Sequence, residues 1–109
     1  EWEALIDGPA SAILVAEDAG DVIGTVVATY DGWRAYIYHV AVDPWRRREG
    51  IGRALILEAE SYLEGAGARH VFTMVNERNT EGLALLGETG HLPDGDMVLA
   101  KRLAVRVAP

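Results

Sequence analysis

Four arginines lie within eight positions of this chain, although the whole sequence carries a formal net charge of −7. Gly50 and Gly52 lie in the same stretch, just after an apolar segment that ends at Asp43-Pro44. Glycines let a backbone approach a ligand closely, and the first amides of a helix have no partner inside the helix. The pattern therefore predicts an anion-binding loop, of the kind that holds phosphate, at the start of a helix. The arginines are Arg46, Arg47, Arg48 and Arg53.

The spacing separates three kinds of phosphate loop. No lysine follows Gly52, which excludes Gly-x-x-x-x-Gly-Lys-Ser/Thr, and Leu55 stands where Gly-x-Gly-x-x-Gly needs its third glycine. The remaining pattern, Arg47-x-x-Gly50-x-Gly52 after a strand, resembles the Arg/Gln-x-x-Gly-x-Gly/Ala motif of the GNAT family of N-acetyltransferases. In that family the loop amides bind the pyrophosphate of acetyl-coenzyme A (acetyl-CoA). Taken alone, the residues also fit a strand-to-helix turn with a solvated arginine run.

Composition limits the class of protein. A chain of 109 residues predicts one domain, residues 1–109, with one modest core. The absence of cysteine excludes disulfides and thiolate metal sites. Seventeen acidic residues against ten basic ones argue against nucleic-acid binding and favour a neutral or cationic partner. No signal peptide or membrane span is recognisable, so we expect no membrane partner and a cytoplasmic location.

In the first half of the chain, turn residues separate apolar runs. Glu1 to Ile6 is predicted to be the last turn of a helix that Gly8-Pro9 ends. Three strands then form an antiparallel meander, with Gly24 marking a bulge or a close backbone approach and Trp33 capping the edge of the core. The strands are Ala12–Asp18, Val22–Tyr30 and Ala35–Val42.

In the second half, the period of the apolar residues changes. An amphipathic helix is predicted over Gly50–Glu64, and a strand follows over Arg69–Val75. The crossover implies that this strand pairs in parallel with Tyr36–Val42. Asn79 is predicted to cap a helix over Thr80–Glu88, whose Leu83 and Leu86 face inward, and Met97–Leu103 is predicted to be a last strand.

This order of elements is that of the GNAT fold from its second helix onward. A second signature of the family, Asn-x-x-Ala-x-x-Leu/Phe-Tyr-x-x-x-Gly-Phe/Tyr, is similar to the run of Asn79, Gly82, Leu85 and Gly90. The resemblance implies an α/β fold with a mixed sheet, GNAT-like and truncated at its N-terminus. No counterpart of the first strand and helix of the family is recognised, so we expect a second copy or a shortened substitute to cover the edge beside Ala12–Asp18, with a homodimer preferred.

The resemblance implies acetyl transfer from acetyl-CoA, as co-substrate, to a primary amine, with no metal. Two strands splay to admit the pantetheine arm, and backbone groups at Val40 and Val42 pair with that arm and polarise the thioester. The residues expected to bind the co-substrate are Val40, Ala41, Val42, Arg47, Arg48, Glu49, Gly50, Ile51, Gly52, Arg53 and Asn79.

The chemistry also requires a base, because the amine must lose a proton before it attacks. His39, just before the acyl-binding residues, is the candidate, although a packed or solvent-facing histidine is an equal interpretation. His70 and His91 are expected to be structural or surface residues. Scattered histidines give no support to a metal site.

Three residues depart from the family pattern. Leu86 replaces the tyrosine that protonates the leaving thiolate in many relatives, Glu49 puts a negative charge in the phosphate loop, and His91 replaces an aromatic residue. Two functions therefore stay open. One is an N-acetyltransferase, and the other is a non-catalytic acyl-CoA-binding module or a subunit of a larger assembly. A third is an unrelated α/β domain that binds another anion.

Overall fold

A computed structural model describes the backbone of residues 2–4 and 10–103 and the side chains of residues 11–103. It contains five strands, two α-helices and one turn of 3₁₀ helix, Pro44–Arg46. The strands are β1 (Trp2–Ala4), β2 (Ala10–Asp18), β3 (Asp21–Tyr30), β4 (Ala35–Val42) and β5 (Val71–Thr73). The helices are α1 (Ile51–Gly65) and α2 (Thr80–Glu88). The predicted meander and both predicted helices from Gly50 onward are confirmed.

The sheet has the order β1-β2-β3-β4-β5. Neighbouring strands are antiparallel except β4 and β5, which pair in parallel from Ala35 opposite Val71 to Ile37 opposite Thr73. The predicted parallel crossover is therefore confirmed. The predicted strand over Arg69–Val75 is shorter than expected, because two residues at each end, residues 69–70 and 74–75, are not part of β5.

The prediction of a helix over Glu1 to Ile6 is wrong where the structure describes it. Trp2–Ala4 is a strand that pairs antiparallel with Ala12–Leu14 of β2. Glycine and proline end strands as readily as helices, so Gly8-Pro9 could not decide between them. The remaining residues of that stretch lie outside the described ones. The short strand β1 therefore covers part of the β2 edge. The sequence predicted either a second copy or a shortened substitute at this edge, and β1 is such a substitute.

Helix α1 covers one face of the sheet and forms the core with it. Leu14, Val26 and Ile37 lie on β2, β3 and β4, on the face that α1 covers. Each is at most 3% exposed. Leu55, Ala59 and Leu63 of α1 meet them, with spacings of four that put all three on one helical stripe. The core therefore fixes the direction of α1, whose first turn lies at the end of β4.

Gly24 lies in β3 where side chains of the first turns of α1 contact the sheet. A Cβ at this position would lie 2.9 Å from Leu55 Cδ1 and 3.2 Å from the Ala41 carbonyl oxygen. The register between β2 and β3 also shifts next to Gly24, at Ala16 and Glu17. Both parts of the sequence prediction for this glycine are confirmed.

We expect Gly24→Ala to lower the free energy of unfolding by about 1–3 kcal/mol, the usual cost of overpacking a core. The added methyl group must displace Leu55 or the β4 backbone. Urea denaturation checks the value. Gly87→Ala, in helix α2, is the control for losing a glycine, since no atom lies within 4 Å of a Cβ there and its helical backbone suits alanine. Equal losses from both variants would contradict the packing role of Gly24.

Three further sequence predictions differ from the structure. Met97–Leu103 forms no strand, and its large apolar side chains are exposed. Trp33 is 80% exposed and does not cap the core; the Arg34 guanidinium lies 4.7 Å from its ring instead. Leu83 is exposed, because the short helix α2 turns Leu85 and Leu86 inward.

Candidate functional site

The parallel strands β4 and β5 separate at the end of the sheet that leads into α1. Their pairing stops at Ile37 and Thr73, whereas β4 continues to Val42. A cleft of about 890 Å³ opens there, between β4, the chain after β5, the first turn of α1 and α2. The splay that the family resemblance implies is therefore present.

A β-bulge at His39 shapes the wall of this cleft. Tyr38 pairs with Val27 and Ala41 with Thr25, so two residues of β4 face one residue of β3. His39 has a φ of +54°, in the left-handed region that non-glycine residues rarely adopt. Strained backbone of this kind is often found at functional sites.

The bulge changes which side chains of β4 face the core. Before it, Ala35 and Ile37 are buried; after it, Val40 and Val42 pack against the core. His39 remains exposed and lines the cleft, with the Tyr38 ring 5.1 Å from its own. The sequence carried this signal as a break in alternation between Ile37 and Val40, which the prediction of a regular strand missed.

The loop between β4 and α1 presents backbone donors to the cleft. Asp43 caps the 3₁₀ turn by accepting from the Trp45 amide at 3.0 Å. Gly50 is the N-cap of α1 in the left-handed conformation, with φ of +80°, and has no side-chain cap bond. The amides of Ile51, Gly52 and Arg53 therefore have no acceptor within the described part of the chain. Free amides at the start of a helix, facing a cleft, are able to bind an anion.

Glu49 does not leave an unbalanced charge in this loop. The Arg46 guanidinium donates to both Glu49 carboxylate oxygens at 3.0–3.1 Å and to Asp18 at 2.9 Å. The Glu49 and Asp18 carboxylates raise the pKa of Arg46. Arg46 therefore offsets the repulsion expected between Glu49 and a bound phosphate. Its two ion pairs also connect the loop to Asp18 at the end of β2.

The two glycines of the motif have different roles. A Cβ at Gly50 would meet no atom within 4 Å, so this position is open toward solvent and constrained only by its φ. A Cβ at Gly52 would lie 3.0 Å from Leu85 Cδ2 and 3.6 Å from Val42 Cγ2. Gly52 therefore allows α2 to pack on the start of α1.

Arg47 reaches from the loop toward α2. Its guanidinium lies 3.5 Å from the Glu81 carboxylate, and both side chains are more than half exposed. Arg48 and Arg53 also line the cleft and have no ion pair with any described residue. Glu81 was not singled out from the sequence, because a glutamate in the first turn of a helix is common for reasons of the helix dipole.

Asn79 has a clear structural role. Its side-chain oxygen accepts from the Gly82 amide at 2.9 Å and caps α2, as predicted. A Cβ at Gly82 would lie 2.6 Å from Asn79 Nδ2, so the alanine of the family motif would require the Asn79 side chain to shift. Asn79 also lines the cleft. The cap orients α2 against the loop.

We expect Glu81→Gln to tighten the binding of coenzyme A by about two- to fivefold at low salt, because exposed ion pairs are worth about 0–1 kcal/mol and Glu81 competes for Arg47. Calorimetry at two ionic strengths measures this, and the gain should fall as salt screens the pair. Glu88→Gln is the control, since Glu88 lines the same cleft without an ion pair to Arg47. Equal gains from both variants would point to net charge alone.

His91 is structural, as predicted, but in a specific way. Its Nε2 lies 2.7 Å from a Glu60 carboxylate oxygen, and its Nδ1 lies 3.5 Å from Thr73 Oγ1. Its amide donates to the Leu86 carbonyl at 2.9 Å, which closes the end of α2 beyond Gly90. A polar bridge between α1 and β5 thus replaces the expected aromatic packing. His70 is exposed next to the Phe72 ring.

Leu86 is half-buried and lines the cleft where the family has its tyrosine. Tyr38, also half-buried in the cleft wall, was missed from the sequence because a tyrosine in a strand is typical of a packed sheet. No group of three or more metal-ligating side chains occurs among the described residues. Within the same residues, no helix has the length and apolarity that crossing a bilayer requires.

Comparison with known proteins agrees with this geometry. The sequence model of the acetyltransferase (GNAT) family matches residues 1–90. The chain is 35% identical over 91 residues to acetyltransferase SG1711 of Sodalis glossinidius (strain morsitans); the match covers 83% of this chain and 64% of that protein. The chain therefore belongs to the GNAT acetyltransferase family. It spans less than two thirds of the length of this relative.

Solved structures show the same fold. The aminoglycoside acetyltransferase AAC(6')-Iy, in complex with the bisubstrate analogue CoA-S-monomethyl-acetylneamine, superposes with a TM-score of 0.76 at 16% identity, covering 86% of this chain and 70% of that one. An aminoglycoside acetyltransferase from an uncultured soil metagenomic sample, HMB0005, gives a TM-score of 0.70 at 26% identity, covering 88% and 66%. The GNAT-like α/β fold is confirmed.

Proposed function

We propose that this chain binds acetyl-CoA and transfers its acetyl group to a primary amine. One observation carries the proposal: the unpaired amides of Ile51, Gly52 and Arg53 open into the same cleft as the splay between β4 and β5. A diphosphate suits the first feature and an extended acyl arm the second. Family membership supports the same reaction.

The residues of the loop fit a diphosphate. Gly50 leaves open space beside the amides, and Arg47, Arg48 and Arg53 add positive charge around them. Ala41 and Glu49 contribute backbone and loop structure rather than charge, since Ala41 pairs with Thr25 and Glu49 with Arg46. In this proposal, backbone groups of Val40 and Val42, which line the cleft, pair with the acyl arm and polarise the thioester carbonyl.

The chemistry requires one proton transfer before attack. His39 takes a proton from the ammonium form of the acceptor, and the free amine then attacks the thioester carbonyl carbon. A C–N bond forms as the C–S bond breaks, the sulfur leaves as a thiolate, and the acylated nitrogen loses its second proton to solvent. With Leu86 in the place of the family's tyrosine, solvent supplies the proton that the thiolate takes up. The products are an N-acetylated amine and coenzyme A.

The acceptor class follows from charge and from the neighbours. The net charge of −7 favours a cationic acceptor over an anionic one. Several structural neighbours are aminoglycoside acetyltransferases, so aminoglycosides belong in the acceptor panel beside small polyamines and peptides with a free α-amine. A cytoplasmic location, where acetyl-CoA would be available, is part of the same proposal.

Thiol release from acetyl-CoA tests the reaction directly. We expect release that depends on one class of amine in the panel and acetylated product by mass spectrometry. A second candidate, an acyl-CoA-binding module without catalysis, is favoured by one observation, the aliphatic Leu86 in the cleft. Calorimetric binding of acetyl-CoA without turnover on any amine would select that candidate, and no binding would refute both.

A further inference from the structure

A row of aromatic side chains lies on the face of the sheet that α1 does not cover. In the first half of β4, Ala35 and Ile37 belong to the core under α1. Tyr36 and Tyr38 alternate with them and therefore lie on the opposite face. Phe72 of β5 is the register partner of Tyr36, and their ring centroids are 5.8 Å apart. We term the half-buried residues Tyr36, Tyr38 and Phe72 the aromatic strip.

The aromatic strip reaches the candidate site at its Tyr38 end. Tyr38 also lines the cleft, and the centroid of its ring is 5.1 Å from that of the His39 ring. The base proposed for acetyl transfer therefore lies beside the end of the strip. The unpaired amides that suit the diphosphate lie elsewhere in the cleft, at the start of α1. An acceptor lying along the strip would bring its amine to His39 without crossing the diphosphate loop.

The other end of the aromatic strip carries a positive charge. The Arg34 guanidinium carbon lies 5.4 Å from the centroid of the Phe72 ring and 4.7 Å from that of the Trp33 ring. Aromatic rings attract cations at this range, so Phe72 is already engaged by Arg34. A second ammonium group of a bound amine would be repelled there. The strip therefore suits a ligand with a single positive charge at the His39 end and an uncharged ring.

We propose, on the basis of the acetyl transfer proposed for this chain, that the acceptor is a primary monoamine with an aromatic group whose ring lies on the aromatic strip. Cation–π attraction acts within about 6 Å of a ring centroid, so an ammonium group at His39 lies within reach of the Tyr38 ring. Tyr36 lies two residues, or about 7 Å, further along the strand, where it stacks on the ring of the ligand. Arylalkylamines with a short linker and peptides with an aromatic N-terminal residue have this shape.

A change in acceptor preference tests the role of the strip. Tyr36→Leu keeps an apolar side chain but removes the ring, whereas Tyr36→Phe keeps the ring. We expect Tyr36→Leu to lower the ratio of kcat/KM for phenethylamine to kcat/KM for butylamine by about two- to tenfold, which is the contribution of one aromatic contact. Tyr36→Phe should preserve this ratio. Phe72→Leu is a second variant with the same expected loss as Tyr36→Leu.

Each variant's ratio is compared with the native ratio, so the different basicities of the two amines cancel. The Kd for acetyl-CoA should stay unchanged in all three variants, which shows that the cleft is intact. A ratio that neither Tyr36→Leu nor Phe72→Leu changes would overturn the proposal and leave acetyl transfer standing. A native kcat/KM that is higher for putrescine, a diamine, than for phenethylamine would have the same meaning.

Binding distinguishes a failure of the strip from a failure of acetyl transfer. Calorimetry measures the Kd of phenethylamine for the chain saturated with coenzyme A, and this measurement needs no turnover. We expect the native chain to bind phenethylamine more tightly than putrescine, and Tyr36→Leu to weaken the binding of phenethylamine by about two- to tenfold. This pattern without acetylation of any amine would refute acetyl transfer but support the strip as an amine site. No binding of phenethylamine, or equal binding by the native chain and Tyr36→Leu, would overturn the proposal.

Discussion

Gly50→Asp should remove most of the thermal protection that acetyl-CoA gives this protein. A carboxylate at the N-cap of α1 would lie next to the amides that face the cleft. Two unit charges about 5 Å apart at an effective dielectric constant of about 20 interact by about 3 kcal/mol. The affinity should therefore fall by about 100-fold. At a ligand concentration of about 100 times the native Kd, the stabilisation drops from about 2.7 to about 0.4 kcal/mol.

Gly50→Asn is the matched control, because asparagine and aspartate differ here only in charge and both tolerate a positive φ. Since a Cβ at Gly50 meets no atom within 4 Å, both variants should melt at the same temperature without ligand. Thermal shifts with and without acetyl-CoA measure the difference. Equal protection of the Asp and Asn variants would remove the helix start from the binding site.

Gly52 should behave differently, although it belongs to the same motif. A Cβ there lies 3.0 Å from Leu85 Cδ2, so Gly52→Ala should destabilise the free protein before any ligand is added. The motif itself cannot distinguish the roles of the two glycines. The contact that distinguishes them is made by α2, which begins more than thirty residues after the start of the loop. The packing of α1 on α2 explains why position 52 needs a residue without a side chain, whereas at position 50 the space beside the amides is left for a ligand.

The rest of the sequence analysis succeeded where local signals were strong. The Asn79 cap, the apolar stripe of α1 and the turns of the meander each have a short-range cause, and the structure has them where expected. Terminal segments were harder. Trp2–Ala4 has too few residues to show a period, and Met97–Leu103 has a strand's composition without a partner that would make it one.

The site depends more on tertiary contacts. The bulge at His39 comes from the register of β3 against β4, and the neutralisation of Glu49 comes from the geometry of Arg46 between two carboxylates. Charge counting along the chain put four arginines in one group, whereas the structure assigns Arg46 to the loop and Arg47 to a pair with Glu81. Of these four arginines, Arg48 and Arg53 have no ion pair with any described residue.

Leu86→Tyr should accelerate acetyl transfer, because a phenol in the cleft can donate the proton that the leaving thiolate otherwise takes from solvent. Positioned proton transfer is typically worth about 10²–10⁴-fold, but an alkyl thiol with a reference pKa of about 8.5 is already a tolerable leaving group. We therefore expect a gain in kcat below that range, of about tenfold. Leu86→Phe is the matched control, with the ring but not the hydroxyl. Equal rates for the two variants would exclude a donor role at this position.

His39→Asn tests the other proton transfer. Asparagine tolerates the positive φ of this position, so the bulge should persist while the base is lost. We expect kcat/KM for the amine to fall by about 10²-fold or more with the Kd for acetyl-CoA unchanged. The loss should be greatest where the acceptor is an ammonium ion and should shrink as pH approaches the pKa of the amine, since an amine already deprotonated needs no base. A rate unchanged by His39→Asn across the pH range would mean that the acceptor loses its proton to solvent or to another group of the cleft.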